Sequence, residues 1–181
     1  MANIIVLGAG IGGMSTAYEL RALLGKEHSI TVVGDGVQFS FTPSNPWVAV
    51  GWRIPAAIQV EVPAHLAKKG IAFESAGAER LEPDANQVRL RDGRTLSYDY
   101  LVIATGPRLA FDEVPGLGPD GGFTQSICTT PHAHDAWLAY QAFLENPGPI
   151  VVGAAAGARC FGPAYEFAMI LDTELRKRKI R

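Results

Sequence analysis

Gly8-Ala9-Gly10-Ile11-Gly12-Gly13 sets Gly8, Gly10 and Gly13 in G-x-G-x-x-G spacing close to the N-terminus. The chemistry open to such a turn is anion binding. A pyrophosphate must be met by free backbone N–H groups at a helix N-terminus, with any obstructing Cβ removed. The other reactive candidates are Cys128 and Cys160. Two cysteines are too few for a disulfide framework, and they lack the C-x-x-C spacing of a zinc or thioredoxin-type site. Each is therefore either a small buried hydrophobe or a reactive thiol. Cys160 lies just before Gly162-Pro163, where a helix is expected, and Arg159 adds positive charge. Cys128 stands two residues before Thr130-Pro131, read as N-cap and first helical residue. A helix N-terminus favours a thiolate at both places. His132 and His134 are two apart, which points them to different faces of a helix, and no metal site is expected there.

These residues need elements to hold them. Asn3-Ile4-Ile5-Val6-Leu7 reads as a strand buried on both faces, and Ala17, Leu20, Leu23 and Leu24 recur at helical spacing before Gly25. Ile30-Thr31-Val32-Val33 completes a βαβ unit around the glycine turn. The acidic residue that grips an adenosine ribose is expected at the end of that second strand, where Gly34 stands and Asp35 follows. Two readings stay open: Asp35 reaches the ribose after a small shift, or it is a turn residue in Gly34-Asp35-Gly36.

Gly34 to Ile58 shows neither a helical nor a strand period and reads as a long aromatic loop, with Trp47 and Trp52 either packing in a core or lining a channel. A short helix opens at Pro63, a strand follows at 71–74, and residues 79 to 98 alternate as an antiparallel meander. Tyr100-Leu101-Val102-Ile103-Ala104 is a further buried strand ending at Thr105-Gly106. A helix is expected from Thr130 to about Leu144, then a strand at Ile150-Val151-Val152. Gly153-Ala154-Ala155-Ala156-Gly157-Ala158 follows, with a helix carrying Ala164, Ala168, Leu171 and Leu175 on one face. This second glycine pattern either binds NAD(P) or keeps only the fold, because Ala155 replaces its middle glycine.

Composition narrows the function classes. In 181 residues, 48% hydrophobic and 19% charged, disorder is excluded. With 16 basic against 18 acidic residues no charge asymmetry would hold a nucleic-acid backbone, so no nucleic-acid partner is expected. No apolar run approaches the roughly 20 residues of a membrane span, and the expectation is a cytoplasmic chain. The basic run from Arg176 to Arg181 reads as a solvated helix end, with anionic lipid contact as the other reading.

The strand, glycine turn and helix, followed by Tyr98 to Gly106 with its Ala104-Thr105-Gly106 ending and Thr95 upstream, resemble the two-dinucleotide-domain flavoproteins related to glutathione reductase. Within that group, three stretches are similar to sulfide:quinone oxidoreductase: Phe41-Thr42-Pro43-Ser44-Asn45-Pro46-Trp47 with the residues to Trp52, Gln125-Ser126-Ile127-Cys128, and Arg159-Cys160-Phe161-Gly162-Pro163 with the residues to Glu166. Flavocytochrome c sulfide dehydrogenase, another disulfide-type reductase and a non-catalytic nucleotide-fold module are the alternatives.

The resemblance implies an α/β fold with a Rossmann-like FAD-binding half over 1–115 and the start of a second nucleotide-type domain over 116–181. It implies FAD held by Gly8, Ala9, Gly10, Gly12, Gly13, Gly34, Asp35, Pro43, Ala78, Thr105 and Gly106. Cys160 and Cys128 become the catalytic thiols, passing electrons from sulfide through cysteine sulfur and FAD to quinone. It further implies a protein of more than twice this length, of which this chain is an N-terminal piece inactive alone. The longer form would be a homo-oligomer lying peripherally at the inner face of the plasma membrane.

Overall fold

The computed structural model describes residues 1–158 and 160–180. In chain order it contains β1 (Asn3–Leu7), α1 (Ile11–Leu23), β2 (Ser29–Val33), β3 (Gln38–Ser40), α2 (Asn45–Ala49), β4 (Gln59–Glu61) and α3 (Val62–Ala67). Then come β5 (Ala72–Glu74), β6 (Ala78–Glu82), β7 (Gln87–Leu90), β8 (Thr95–Ser97), β9 (Tyr100–Ile103), α4 (Thr130–Glu145) and α5 (Gly162–Lys177). The chain forms two compact units, Met1–Ser40 with Gln59–Arg108, and Phe41–Ile58 with the residues from Leu109 onward.

The first unit is built on a parallel sheet of order β5-β2-β1-β9. Side chains alternate across a strand with a period of two, and this sheet buries both faces. Ile4 and Val6 of β1, with Ile30 and Val32 of β2, turn to Ala17 of α1 and to Val62 and Leu66 of α3. Ile5, Leu7 and Val33 turn the other way, onto Val88 and Leu90 of β7. A slip of one residue would exchange these two sets, so the helix layer and the meander layer fix the register together. Burying Val88 and Leu90 completely contributes about 1.5 to 3 kcal/mol each. The meander β6-β7-β8 is antiparallel throughout, with a bulge between Ala78 and Arg80. Strand β9 is not buried as its composition suggests, because it stands at the edge of the parallel sheet and leaves Tyr100 and Ile103 exposed.

Helix α1 ends where Leu24 turns to extended backbone, and Arg21 of its last turn donates to the carbonyls that follow, of Leu24 at 3.2 Å, Gly25 at 2.5 Å and His28 at 3.0 Å. A cation in the last turn also answers the helix dipole. Strand β1 lies between β2 and β9, so the chain leaving β1 stands at the point where the strand order reverses. Gly8 N–H donates to the Val33 carbonyl, and Ala104 N–H to the Leu7 carbonyl. Ligands of open α/β sheets bind at such a point.

The second unit departs from the sequence reading in four places. Residues 41–58 are not an irregular loop: Thr42–Ser44 is a 3-10 turn leading into α2, whose Val48 and Ala49 pack on Ala133 and Ala136 of α4. Elements of three to five residues are too short for a periodicity to register. The N-cap of α4 is Thr129, which accepts from His132 N–H at 3.2 Å, and not Thr130. Thr130 instead turns inward, its hydroxyl donating to Oδ1 of buried Asn45 at 3.1 Å. Ile150-Val151-Val152 joins no ladder, since no described strand lies alongside to pair with it, and Val151 is 95% exposed. On α5 the buried face is carried by Phe167, Leu171 and Glu174, while Ala168 faces solvent.

Candidate cofactor site

At the switch point the three motif glycines have different reasons to be glycine. Gly8 has φ +105°, and a Cβ there would meet the Ala104 carbonyl. A Cβ at Gly13 would run into the carbonyl oxygen of Gly8. Both are therefore demanded by the chain itself, which closes β1, α1 and the end of β9 upon one another. Gly10 is not: it has ordinary extended backbone, φ −80° and ψ −173°, and open space where a Cβ would stand. Gly12 likewise faces open space.

Helix α1 has no side-chain cap on its N-cap residue Gly10 and no acidic residue in its first turn. Its leading N–H groups thus face a cradle lined by backbone, with the positive end of the helix behind them. An anion fits this place, and a pyrophosphate fits its shape because the Cβ volume at Gly10 and Gly12 is left free.

Gly34 is buried at the end of β2, where a Cβ would lie 2.8 Å from the Phe73 ring and 3.0 Å from the Ala9 Cβ. It thereby lets Ala9 and the glycine turn sit close to the second strand. Asp35 follows in an isolated bridge to Ala76, and its Oδ2 accepts from Nη1 of Arg91 at 2.7 Å. Thr105 and Gly106 leave β9 beside Gly8, both exposed, with Gly106 at φ +75°. Ala78 lies on β6 opposite Leu90. All of these belong to the first unit.

The remaining expected residues belong to the second unit. Pro43 is exposed in the 3-10 turn before α2. Cys128 and Cys160 are both free and exposed. The Cys128 N–H donates to Oγ of Ser126 at 3.1 Å, one residue before the Thr129 cap of α4. Cys160 lies two residues before α5 begins, and Arg159, expected to add charge there, is outside the described residues. His132 packs on Phe111 with ring centroids 5.6 Å apart, and its Nε2 is 3.7 Å from Asp120. Among the described residues no helix is long and apolar enough to cross a membrane.

Two groupings were not legible from motifs. One is the Asp35–Arg91 pair, because no local pattern shows that β6–β7 pairing carries Arg91 back to the end of β2. The other joins α2's exit to α5. Trp52 Nε1 donates to buried Glu174 at 2.7 Å, Arg178 donates to the same carboxylate at 2.6 Å, and Lys177 Nζ lies 4.4 Å from the Trp52 ring centroid. Burial alone would push Glu174 up, but these two donors hold its carboxyl below the ordinary value. Burial and the nearby Glu174 charge push the Tyr140 phenol up. Much of the basic run is thus engaged with its own unit: Arg176 pairs with Asp172, and Arg178 with Glu174. Arg181 lies outside the described residues.

Residues 2–156 match the family model described as pyridine nucleotide-disulphide oxidoreductase, a family of FAD-binding flavoproteins. The sulfide-quinone reductase of Aquifex aeolicus (strain VF5) is 45% identical over 99% of this chain, which covers 40% of that protein. The mitochondrial sulfide:quinone oxidoreductase of Dictyostelium discoideum is 27% identical, again with 99% of this chain matched and 40% of that protein covered. The crystal structure of the sulfide:quinone oxidoreductase from Aquifex aeolicus superposes with a TM-score of 0.92 at 45% identity, over 100% of this chain and 41% of that one. The chain therefore spans about two fifths of the length of the curated relatives it matches.

Proposed function

Because this chain belongs to the pyridine nucleotide-disulphide oxidoreductase family, we propose that it is the flavin-binding part of a sulfide:quinone oxidoreductase. The observation that carries the reading is the open, uncapped cradle at Gly10 and Gly12, set at the switch point of a sheet whose other glycines are fixed by backbone packing. Likeness to the Aquifex aeolicus protein over the whole chain supports the choice of reaction.

In this reading Gly8, Ala9, Gly10, Gly12 and Gly13 hold the pyrophosphate of FAD through the N–H groups that open α1. Gly34 and Asp35 lie on the ribose side, Ala78 offers backbone to the adenine end, and Thr105 and Gly106 lie toward the flavin; Pro43 is included as a cofactor contact by resemblance alone. FAD, when bound, supplies a two-electron acceptor. The chain's own part is to exclude bulk at the phosphates, meet their charge with dipoles instead of mobile cations, and present thiols. Cys160 and Cys128 are the sulfur-handling residues: a thiolate at either takes up sulfide sulfur as sulfide loses two electrons, and quinone gains two electrons and two protons. The whole protein is proposed to act as a homo-oligomer lying peripherally on a membrane, where a quinone is dissolved. Residues 116–181, on this view, begin a second nucleotide-type domain.

Titration of the purified chain with FAD, followed by flavin fluorescence, tests the cofactor assignment. Saturable binding that Gly10→Val abolishes is expected, since a β-branched side chain would fill the phosphate's place. Equal affinity in that variant would remove the assignment. Sulfide-dependent quinone reduction by the full-length protein, lost in Cys160→Ser, tests the reaction.

A further inference from the structure

We infer that Arg91 is a positioning residue for the ribose of the bound dinucleotide, acting through Asp35; this rests on the FAD reading above. The Asp35 carboxylate stands just beyond the end of β2, where an acidic residue meets the ribose hydroxyls in dinucleotide folds. A 71% exposed carboxylate on a turn would ordinarily sample several rotamers. Here its position is built from three directions.

Backbone bonds tie the turn to the neighbouring strand. Gly34 N–H donates to the Glu74 carbonyl, Gly36 N–H to Ser75, and Gly77 N–H back to Gly34. Gly77 supplies the floor: its φ of +72° favours glycine, and a Cβ there would lie 3.3 Å from both the Arg91 guanidinium and Oδ1 of Asp35, close enough to push the pair aside by a few tenths of an ångström. Arg91 completes the arrangement, its N–H donating to the Gly77 carbonyl at 3.1 Å and its Nη1 to Oδ2 of Asp35 at 2.7 Å. One guanidinium bond leaves lone pairs on both carboxylate oxygens, which is what two vicinal hydroxyls require.

The pair is exposed on both sides, so its share of folding stability is small. A contact that contributes little to the fold yet fixes one carboxylate at the ribose end is suited to preorganisation, where affinity is gained by ordering the carboxylate before binding. The hydrogen-bonding hydroxyls of the ribose, not the phosphates, are what Arg91 serves.

The test uses the full chain with FAD, and with adenosine diphosphate and its 2′,3′-dideoxy analogue as competitors. Arg91→Ala is expected to weaken FAD and adenosine diphosphate binding by about three- to fivefold, the range open to an exposed ion pair. It should leave the dideoxy analogue unaffected and the thermal midpoint unchanged. Arg91→Lys should recover part of the loss, and Arg91→Ala should add nothing in an Asp35→Asn background. An unchanged affinity for FAD in Arg91→Ala, or an equal loss for the dideoxy analogue, overturns the inference while leaving the FAD reading intact. Failure of the parent chain to bind FAD at all overturns that reading, and this inference with it.

Discussion

The indole N–H of Trp52 donates to Oε2 of Glu174 at 2.7 Å, joining two residues 122 positions apart in sequence through a carboxylate only 7% exposed. The other oxygen accepts from Arg178. Removing the indole donor leaves a buried carboxylate with a single partner, and a buried acceptor that loses a donor costs its unrecovered desolvation. Trp52→Phe is expected to destabilise the second unit by about 1 to 2 kcal/mol, read by chemical denaturation.

The same carboxylate sets an acid limit. Its folded-state pKa lies below the ordinary 4.5, so ionised Glu174 stabilises the fold fully above that value. The contribution is lost as pH falls through the lowered folded-state value. Glu174→Gln should therefore lower stability at neutral pH and flatten the loss below about pH 4.5. A Gln variant whose acid limb is as steep as the parent's would show that other carboxylates dominate.

The glycine turn predicts a split between folding and binding. Gly8→Ala combines a left-handed backbone with contact on the Ala104 carbonyl, and Gly13→Ala drives a methyl into the Gly8 carbonyl. Each is expected to cost more than about 2 kcal/mol in thermal or denaturant unfolding, because backbone cannot move aside as a flexible side chain can. Gly10→Val meets open space in ordinary backbone and should keep the parent's stability while losing FAD. A large loss of stability in Gly10→Val would mean that this glycine, too, serves only the fold.

The contrast also shows where sequence suffices. The buried strands β1 and β2 announce themselves as β-branched apolar runs and the 16-residue α4 by its period, and the G-x-G-x-x-G spacing places the turn between the two strands. What distinguishes Gly10 from Gly8 is invisible in the motif, because it depends on the end of β9 some 90 residues away. Arg91 escapes for a similar reason: its partner is set by meander register and a bulge, not by local pattern. Residues 150–152 have a strand's composition, yet a ladder needs a neighbour, and composition cannot supply one.

Cys128 and Cys160 are exposed and unpaired. Ellman's reagent should titrate both thiols in the native chain without denaturant. Serine at either position is expected to leave the thermal midpoint and FAD affinity as they were, since an exposed thiol contributes little packing. Reaction of fewer than two thiols before unfolding would contradict this exposure.

The outer edge of β9 carries the last prediction. Among the described residues no strand lies beyond it, and Tyr100 and Ile103 stand 66% and 64% exposed along it. An uncharged edge with unpaired N–H and C=O groups is a template for another strand, and nothing in Tyr100-Leu101-Val102-Ile103 opposes pairing by charge, proline or bulge. Light scattering of the 181-residue chain at micromolar concentration should give a dimer or larger species. Ile103→Lys places a charge on that exposed position and should shift the population to monomer with little change in unfolding midpoint, because the side chain it replaces is mostly solvated. A parent chain that is monomeric under these conditions and binds no hydrophobic dye would mean that the β9 edge is silent, and association would then have to be sought elsewhere.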